Sequence, residues 1–194
     1  VCFERMVVPI IRYTPCGHVF VEPRWAGGLM RSFKQHLYGA FGIPVAPAPL
    51  RTITYLHRAQ NRRITNRDEV LQMLSTFGFQ VSLLETEKDK PFPDQVRDLS
   101  TTGVLVTTHG ANCVNGMFLP DGAVLLEAHL HPFWIPCYWG QFLAKVGVSY
   151  LRWCHQTDAC ALRDWPTAYP RDDAVVDVEK LKAVVARAVH MVKE

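Results

Sequence analysis

Between Val104 and Glu127 the chain reads as strand, glycine turn, short helix, proline–glycine turn, strand. This run constrains the fold more than any other. Val104-Leu105-Val106-Thr107 and Ala123-Val124-Leu125-Leu126 are apolar on both alternating faces. A strand of that kind must be covered on both sides, as in a parallel sheet. Ala111–Phe118, followed by the turn signal Pro120-Asp121-Gly122, supplies the helix of the crossover that a parallel pair needs. The same unit recurs on either side. Thr52–His57 is β-rich, and Asn66 with Glu69 forms a capping-box-like start to a helix. Val70, Leu71, Leu74 and Phe77 line one face of that helix, and Gly78 ends it. Gln80–Leu84 and Val148–Trp153 are further strands, and Asp94–Leu99 is a short helix. Asp177 caps a last helix with Leu181, Val184, Val185, Ala188 and Val192 on one side. The alternation predicts an α/β fold: a Rossmann-like parallel sheet with helices on both faces.

The first part of the chain reads differently. Arg5–Arg12 and Val19–Val21 are strand candidates, and Leu29, Phe33, Leu37 and Phe41 mark a helix over residues 28–41. Gly42-Ile43-Pro44-Val45-Ala46-Pro47-Ala48-Pro49 then holds three prolines in six residues, which forbids a helix and predicts an extended connector. The expected boundary therefore separates 1–49 from a domain over 50–194. With 48% hydrophobic residues the chain can bury a core. No apolar run approaches a membrane span of about 20 residues. The chain begins at Val1 without a leader pattern, so it is read as a piece of a longer protein, with any signal or anchor upstream.

Charge and cysteines narrow the function. A net charge of +3 is too small to argue for nucleic acid, but its distribution is uneven. Arg51, Arg58, Arg62, Arg63 and Arg67 fall within 17 residues that contain no acid. No aromatic residues for base stacking are interleaved with the later arginines, so an anion pocket or a solvated basic face fits better than a nucleic-acid surface. The six cysteines, Cys2, Cys16, Cys113, Cys137, Cys154 and Cys160, contain no Cys-x-x-Cys. Together with His129, His131 and His155 they match no standard zinc spacing, so structural thiols or one to three disulfides are expected, and no metal.

Three features converge on the carboxyl edge of the expected sheet, where ligands of such folds bind. The loop Thr107-Thr108-His109-Gly110-Ala111-Asn112 follows a buried strand and opens a helix, so its small residues admit a phosphate to the helix N-terminus. Arg58, Arg62 and Arg63 follow the first strand of the domain, and guanidinium groups bind phosphate bidentately. Glu127 ends the strand after that helix, where a carboxylate can accept both ribose hydroxyls. Gly-x-Gly-x-x-Gly and the phosphate-loop signature are both missing, which disfavours a plain dehydrogenase or ATPase. No Asp-x-Asp offers a metal clamp, and arginines with a helix dipole can stabilise a diphosphate leaving group in its place. Trp134, Trp139, Trp153 and Trp165 are either core residues or an aromatic platform for a sugar.

The stretch Leu56-His57-Arg58-Ala59-Gln60-Asn61-Arg62-Arg63-Ile64-Thr65-Asn66-Arg67-Asp68-Glu69 resembles the arginine-rich motif of glycosyltransferase family 61. Val106–Asn112, with Phe118-Leu119-Pro120-Asp121-Gly122-Ala123-Val124-Leu125-Leu126-Glu127, is similar to the second signature of that family, and Cys2-Phe3-Glu4-Arg5 also fits. The resemblance implies a GT-B architecture of two Rossmann-like domains. Residues 1–49 would be the tail of the acceptor-side domain and its linker, and residues 50–194 the donor-binding domain. It implies an inverting transferase with a UDP-sugar donor, N-acetylglucosamine first and xylose as the alternative, and a glycan or glycoprotein acceptor in the lumen of the endoplasmic reticulum or Golgi. No cofactor would be tightly bound. Arg58 and Arg63 would bind phosphate, with Arg63 favoured over Arg62. His109, Gly110 and Ala111 would form the pyrophosphate turn, and Glu127 would hold the ribose. Nothing in the spacing of Glu4, His18 and Glu22 singles out a general base. A transferase-like module that binds a nucleotide or glycan without catalysis is the alternative.

Overall fold

A computed structural model describes residues 11–13, 19–21, 23–44, 50–85, 90–131, 139–155 and 171–193. Two short strands, β1 (Ile11–Tyr13) and β2 (Val19–Val21), pair antiparallel ahead of helix α1 (Pro23–Ala40). Then follow β3 (Thr52–His57), α2 (Arg67–Ser75), β4 (Gln80–Glu85), α3 (Phe92–Leu99), β5 (Thr102–Thr108) and a 3-10 helix over Ala111–Phe118. The chain continues through β6 (Val124–His129), α4 (Trp139–Ala144), β7 (Ser149–Cys154) and α5 (Val178–Lys193).

Strands β3 to β7 form one parallel sheet in the order β4-β3-β5-β6-β7. The chain leaves β3 toward β4 and returns to β5 on the opposite side of β3. The connections after β3 and β5 therefore diverge and open a crevice at the carboxyl ends of these two strands.

Strand alternation divides the core. Ile53, Tyr55, Val104, Val106, Val124, Leu126 and Ala128 face α2 and α5, where they meet Val70, Leu74, Leu181 and Val185. Leu56, Leu105 and Leu125 face the other way, onto Val96, Leu99, Phe118, Leu143 and Val146. The expected α/β sheet with helices on both faces is the observed architecture.

Three local expectations are modified. The stripe Leu29–Phe33–Leu37–Phe41 is not the buried face of α1: Leu29 is 44% and Phe33 49% exposed. The buried row lies one residue further along the chain, about 100° around the helix. The inward ridge is instead Met30, Lys34 and Tyr38, flanked by Leu37 and Phe41. Asn66 stands at the N-cap of α2, but its side chain makes no cap hydrogen bond there. Its amide brackets Val176, with Nδ2 donating to the carbonyl oxygen and Oδ1 accepting from the N–H, both at 2.9 Å. Asp177, by contrast, caps α5 as expected, accepting from the Lys180 N–H at 3.0 Å. Finally, β6 runs on to His129 rather than ending near Leu126, because pairing with β7 continues through His129↔Cys154.

Candidate functional site

The loop after β3 supplies two arginines to the crevice. Arg58 is fixed by Asn61: Nε donates to its carbonyl oxygen at 3.1 Å and Nη2 to Oδ1 at 2.9 Å. The remaining nitrogen, Nη1, is buried without a hydrogen-bond partner. Opposite stands Gly110, whose φ of 150° lies in a region that side chains rarely adopt. A Cβ at Gly110 would sit 2.4 Å from Nη1 of Arg58 and 3.3 Å from Nη1 of Arg62. Glycine thus lets two guanidinium groups close on the turn that opens the 3-10 helix.

Arg62 and Arg63 part company at a left-handed backbone, φ 53° at Arg62. Arg62 turns toward Gly110, whereas Arg63 is engaged by Asp173. The Arg63 backbone N–H and Nε each donate to Asp173 at 2.8 Å, and Nη2 lies 2.7 Å away. This hydrogen-bonded pair raises the Arg63 pKa and lowers that of Asp173. The structure therefore brings Arg58 and Arg62 to Gly110, while a phosphate role for Arg63 would require the Asp173 pair to open. Arg63 lines a depression with His57, Ile64, Thr65, Arg67 and Asp68.

The other side of the crevice is built on β6. Because β6 is longer than the sequence predicts, Glu127 lies inside the strand and is 1% exposed. Its carboxylate is surrounded by donors. His109 Nδ1 is 2.5 Å from Oε1, and the Cys113 thiol donates to the same oxygen at 3.3 Å. Tyr150 Oη donates to Oε2 at 2.5 Å, and His129 Nε2 stands 3.3 Å from it. The rings of His109 and His129 stack at 4.6 Å. His109 is anchored in turn by its backbone N–H, which donates to the Ala128 carbonyl at 2.9 Å.

These contacts set the charges. Burial by itself would raise the Glu127 pKa, but the hydrogen bond from His109 and the nearby His129 outweigh it and hold the carboxyl well below its usual range. Burial lowers the His109 pKa against the opposing pull of Glu127, with His129 and Arg62 adding to the decrease. Burial and the Glu127 charge push Tyr150 and Cys113 up, so both stay protonated donors. The consistent state is an anionic Glu127 receiving Nδ1–H from a neutral His109. His109, Glu127 and His129 also meet the proximity expected of a metal centre, their donor atoms lying within 4.8 Å of one another. As they stand, His109 and Glu127 bond directly to each other.

Glu127 was expected at the end of its strand, where its carboxylate could accept both ribose hydroxyls. It is instead saturated by protein groups, and contact with a ribose would mean displacing one of them. His109, Gly110 and Ala111 occupy the expected turn. The sequence reading did not join His129, Tyr150 and Cys113 to the site. His129 was legible, since it is two residues from Glu127 on the same strand and shares its face. Tyr150 is placed by the register of β7 against β6, which pairs Leu125 with Tyr150, and no local pattern announces that register. Cys113 is a free buried thiol, and Cys154 is disulfide-bonded. Trp153 is a core residue beneath α5, and Trp139 packs edge-on against Phe142. Glu4, His18, Glu22, Trp134, Trp165 and Cys2, Cys16, Cys137 and Cys160 lie outside the residues whose side chains are described.

Comparison with known proteins finds relatives of the chain. The sequence model of the family described as Glycosyltransferase 61 matches residues 2–126. The chain is 31% identical over 136 residues to the dog protein O-linked-mannose beta-1,4-N-acetylglucosaminyltransferase 2, covering 65% of this chain and 23% of that protein. It is 31% identical over 182 residues to the Drosophila melanogaster EGF domain-specific O-linked N-acetylglucosamine transferase, covering 89% of this chain and 32% of that one. The cattle EGF domain-specific transferase is 28% identical over 166 residues, covering 80% of this chain and 31% of its own length. The chain thus spans between about a quarter and a third of these relatives.

Proposed function

The chain belongs to glycosyltransferase family 61, and we propose that it forms the nucleotide-sugar-binding part of an inverting glycosyltransferase. The donor in this reading is a UDP-sugar, N-acetylglucosamine before xylose, and the acceptor a protein-linked glycan or glycoprotein. The relatives' names support that order of sugars, since both matched enzymes are N-acetylglucosamine transferases. Residues 50–194 would bind the donor, and residues 1–49 would end the acceptor-side domain of a GT-B pair.

The observation that carries the proposal is the buried, unpartnered Nη1 of Arg58 facing a glycine that leaves no room for a side chain. An orphaned guanidinium N–H is costly unless an anion completes it. A diphosphate on the turn would receive Arg58 and Arg62, together with the first-turn N–H groups of the 3-10 helix at Ala111. As the bond from the anomeric carbon to the diphosphate breaks, negative charge gathers on the departing phosphate oxygen, and these fixed donors offset it. The general base that takes the acceptor's proton would come from the other domain. The Cys154 disulfide supports an oxidising compartment, in keeping with the lumen of the endoplasmic reticulum or Golgi.

Calorimetric titration of the full chain with UDP-N-acetylglucosamine, with and without manganese, tests the reading. Wild type should bind saturably, and Arg58→Ala should lose at least tenfold in affinity, or about 1.4 kcal/mol. Folded wild type that does not bind, or Arg58→Ala that binds equally well, would defeat it.

A further inference from the structure

We propose that Asp173 is a positioning residue for the diphosphate site: it clamps the backbone between Arg62 and Arg63, so that Arg62 and not Arg63 is delivered to the Gly110 turn. The inference rests on the nucleotide-sugar reading and deepens it. Neither signature motif contains Asp173, and the match to the family model ends at residue 126.

The second half of the arginine loop is stitched to residues 171–176, the segment that leads into α5. The Arg62 N–H donates to the Arg171 carbonyl at 3.1 Å, and the Arg63 N–H to Asp173 Oδ1 at 2.8 Å. The Ala174 N–H donates to the Arg63 carbonyl and the Thr65 N–H to the Ala174 carbonyl, both at 2.9 Å. Ile64 and Ala174 form a parallel bridge, and the Asn66 amide brackets Val176 beyond it. Two stretches 110 residues apart thus run side by side like a short pair of strands.

Asp173 holds the decisive place in that pair. Among the described residues, Arg62 is the one non-glycine residue with a positive φ, 53°. A left-handed backbone is disfavoured for any residue with a side chain, so it persists only where its surroundings over-determine it. Here the N–H groups on both sides of the Arg62 Cα are engaged, one by the Arg171 carbonyl and the next by the Asp173 carboxylate. The other Asp173 oxygen holds the Arg63 guanidinium, 2.8 Å from Nε and 2.7 Å from Nη2. One carboxylate therefore fixes the main chain and the side chain of Arg63 together.

The consequence falls on Arg62, which leaves the backbone in the other direction. Its Nη1 would lie 3.3 Å from a Cβ at Gly110, and its Nε is 3.4 Å from Asn61 Oδ1. The same Asn61 oxygen receives Nη2 of Arg58 at 2.9 Å. Asn61 thus ties both guanidinium groups into one fork over the turn where a diphosphate would sit.

Charge alone argues for the opposite effect. A carboxylate near an anion site repels the ligand, so its removal should tighten binding. An Asp173 that merely competed for Arg63 would have the same consequence, since its loss would release Arg63 toward the phosphates. Positioning predicts a loss of affinity, and a loss that runs through Arg62.

Calorimetric titration of the full chain with UDP-N-acetylglucosamine reads the sign, at a temperature where melting curves show each variant folded. Asp173→Ala should bind about three- to tenfold more weakly than wild type. Asp173→Asn, whose amide oxygen still accepts from the Arg63 N–H, should recover part of that loss. Asp172→Asn removes the same charge from the neighbouring exposed position and should not weaken binding. Arg62→Ala should lose about threefold or more, and adding Asp173→Ala to it should change affinity by less than about twofold. A general structural role would leave the Asp173→Ala loss intact in the Arg62→Ala background. Asp173→Ala that binds as tightly as wild type or tighter, Arg62→Ala that binds like wild type, or an Asp173→Ala loss that persists without the Arg62 side chain overturns the inference. Weak binding by Arg58→Ala in the same series then leaves the nucleotide-sugar reading standing. Wild type that does not bind at all removes both.

Discussion

Glu127 concentrates the consequences of single side chains. Three donors converge on its two oxygens at hydrogen-bond distance, from His109, Cys113 and Tyr150. In Glu127→Gln one oxygen becomes an amide nitrogen that faces a donor, so a buried hydrogen bond is exchanged for a donor–donor conflict. The expected loss is about 1–3 kcal/mol, read by urea denaturation. The same group dictates the response to acid. His109 has its folded pKa depressed below its ordinary 6.5, and Glu127 has its own depressed below 4.5. The unfolded chain therefore binds more protons than the folded one as pH falls through these values. Stability should decline first below about pH 6.5 and more steeply below about pH 4.5, a profile that chemical denaturation across pH 3–8 checks. Gly110 is the complementary case. Gly110→Ala forces Arg58 to give way, since a Cβ would lie 2.4 Å from its Nη1 and displace the guanidinium from Asn61. The fold should survive with a cost of about 1–3 kcal/mol for the strained φ, while affinity for a UDP-sugar drops by tenfold or more.

Elements hold these residues in place through their packing. The 3-10 helix carries Cys113 on one side and meets the sheet through Gly116. A Cβ there would lie 2.5 Å from Leu143 Cδ2 and 2.8 Å from Leu125 Cδ1. Gly116→Ala should cost about 1–3 kcal/mol by overpacking and should loosen the turn at His109. The remote face offers a control. Leu181, fully buried on α5, packs beneath the sheet among Val185 and Leu126. Leu181→Ala should cost about 2–5 kcal/mol in thermal or urea unfolding while leaving nucleotide affinity of the folded protein unchanged. Helix α5 was legible from its apolar stripe and its Asp177 cap because both signals are local. The inward face of α1 was not, since it is chosen by where a lysine finds partners.

That lysine decides how the whole molecule closes. Lys34 is buried, and its ammonium donates to the Leu119 carbonyl at 3.0 Å and to Asp121 at 2.9 Å. Tyr38 adds a bond to the Phe118 carbonyl at 2.6 Å. Helix α1, which precedes the proline-rich stretch, thus packs onto the 3-10 helix and the turn after it. Lys34→Met should destabilise the chain by about 1–3 kcal/mol in urea unfolding, because the Leu119 carbonyl loses its partner. Much of the molecule was readable beforehand. Apolar runs separated by helix and turn signals determined by themselves the alternation of strands and helices, the two-faced core, and the convergence of the arginine segment with His109, Gly110 and Ala111 on one sheet edge. These depend on periodicity and on the rule that parallel strands aim the same ends the same way. Tertiary structure decided the remainder: that Arg62 rather than Arg63 meets Gly110, that Glu127 is enclosed rather than open, and that Tyr150 and Cys113 help enclose it. A left-handed residue, the extension of β6 and the β6–β7 register produce those outcomes. Each depends on contacts between segments far apart in the chain, for which sequence spacing carries no signal.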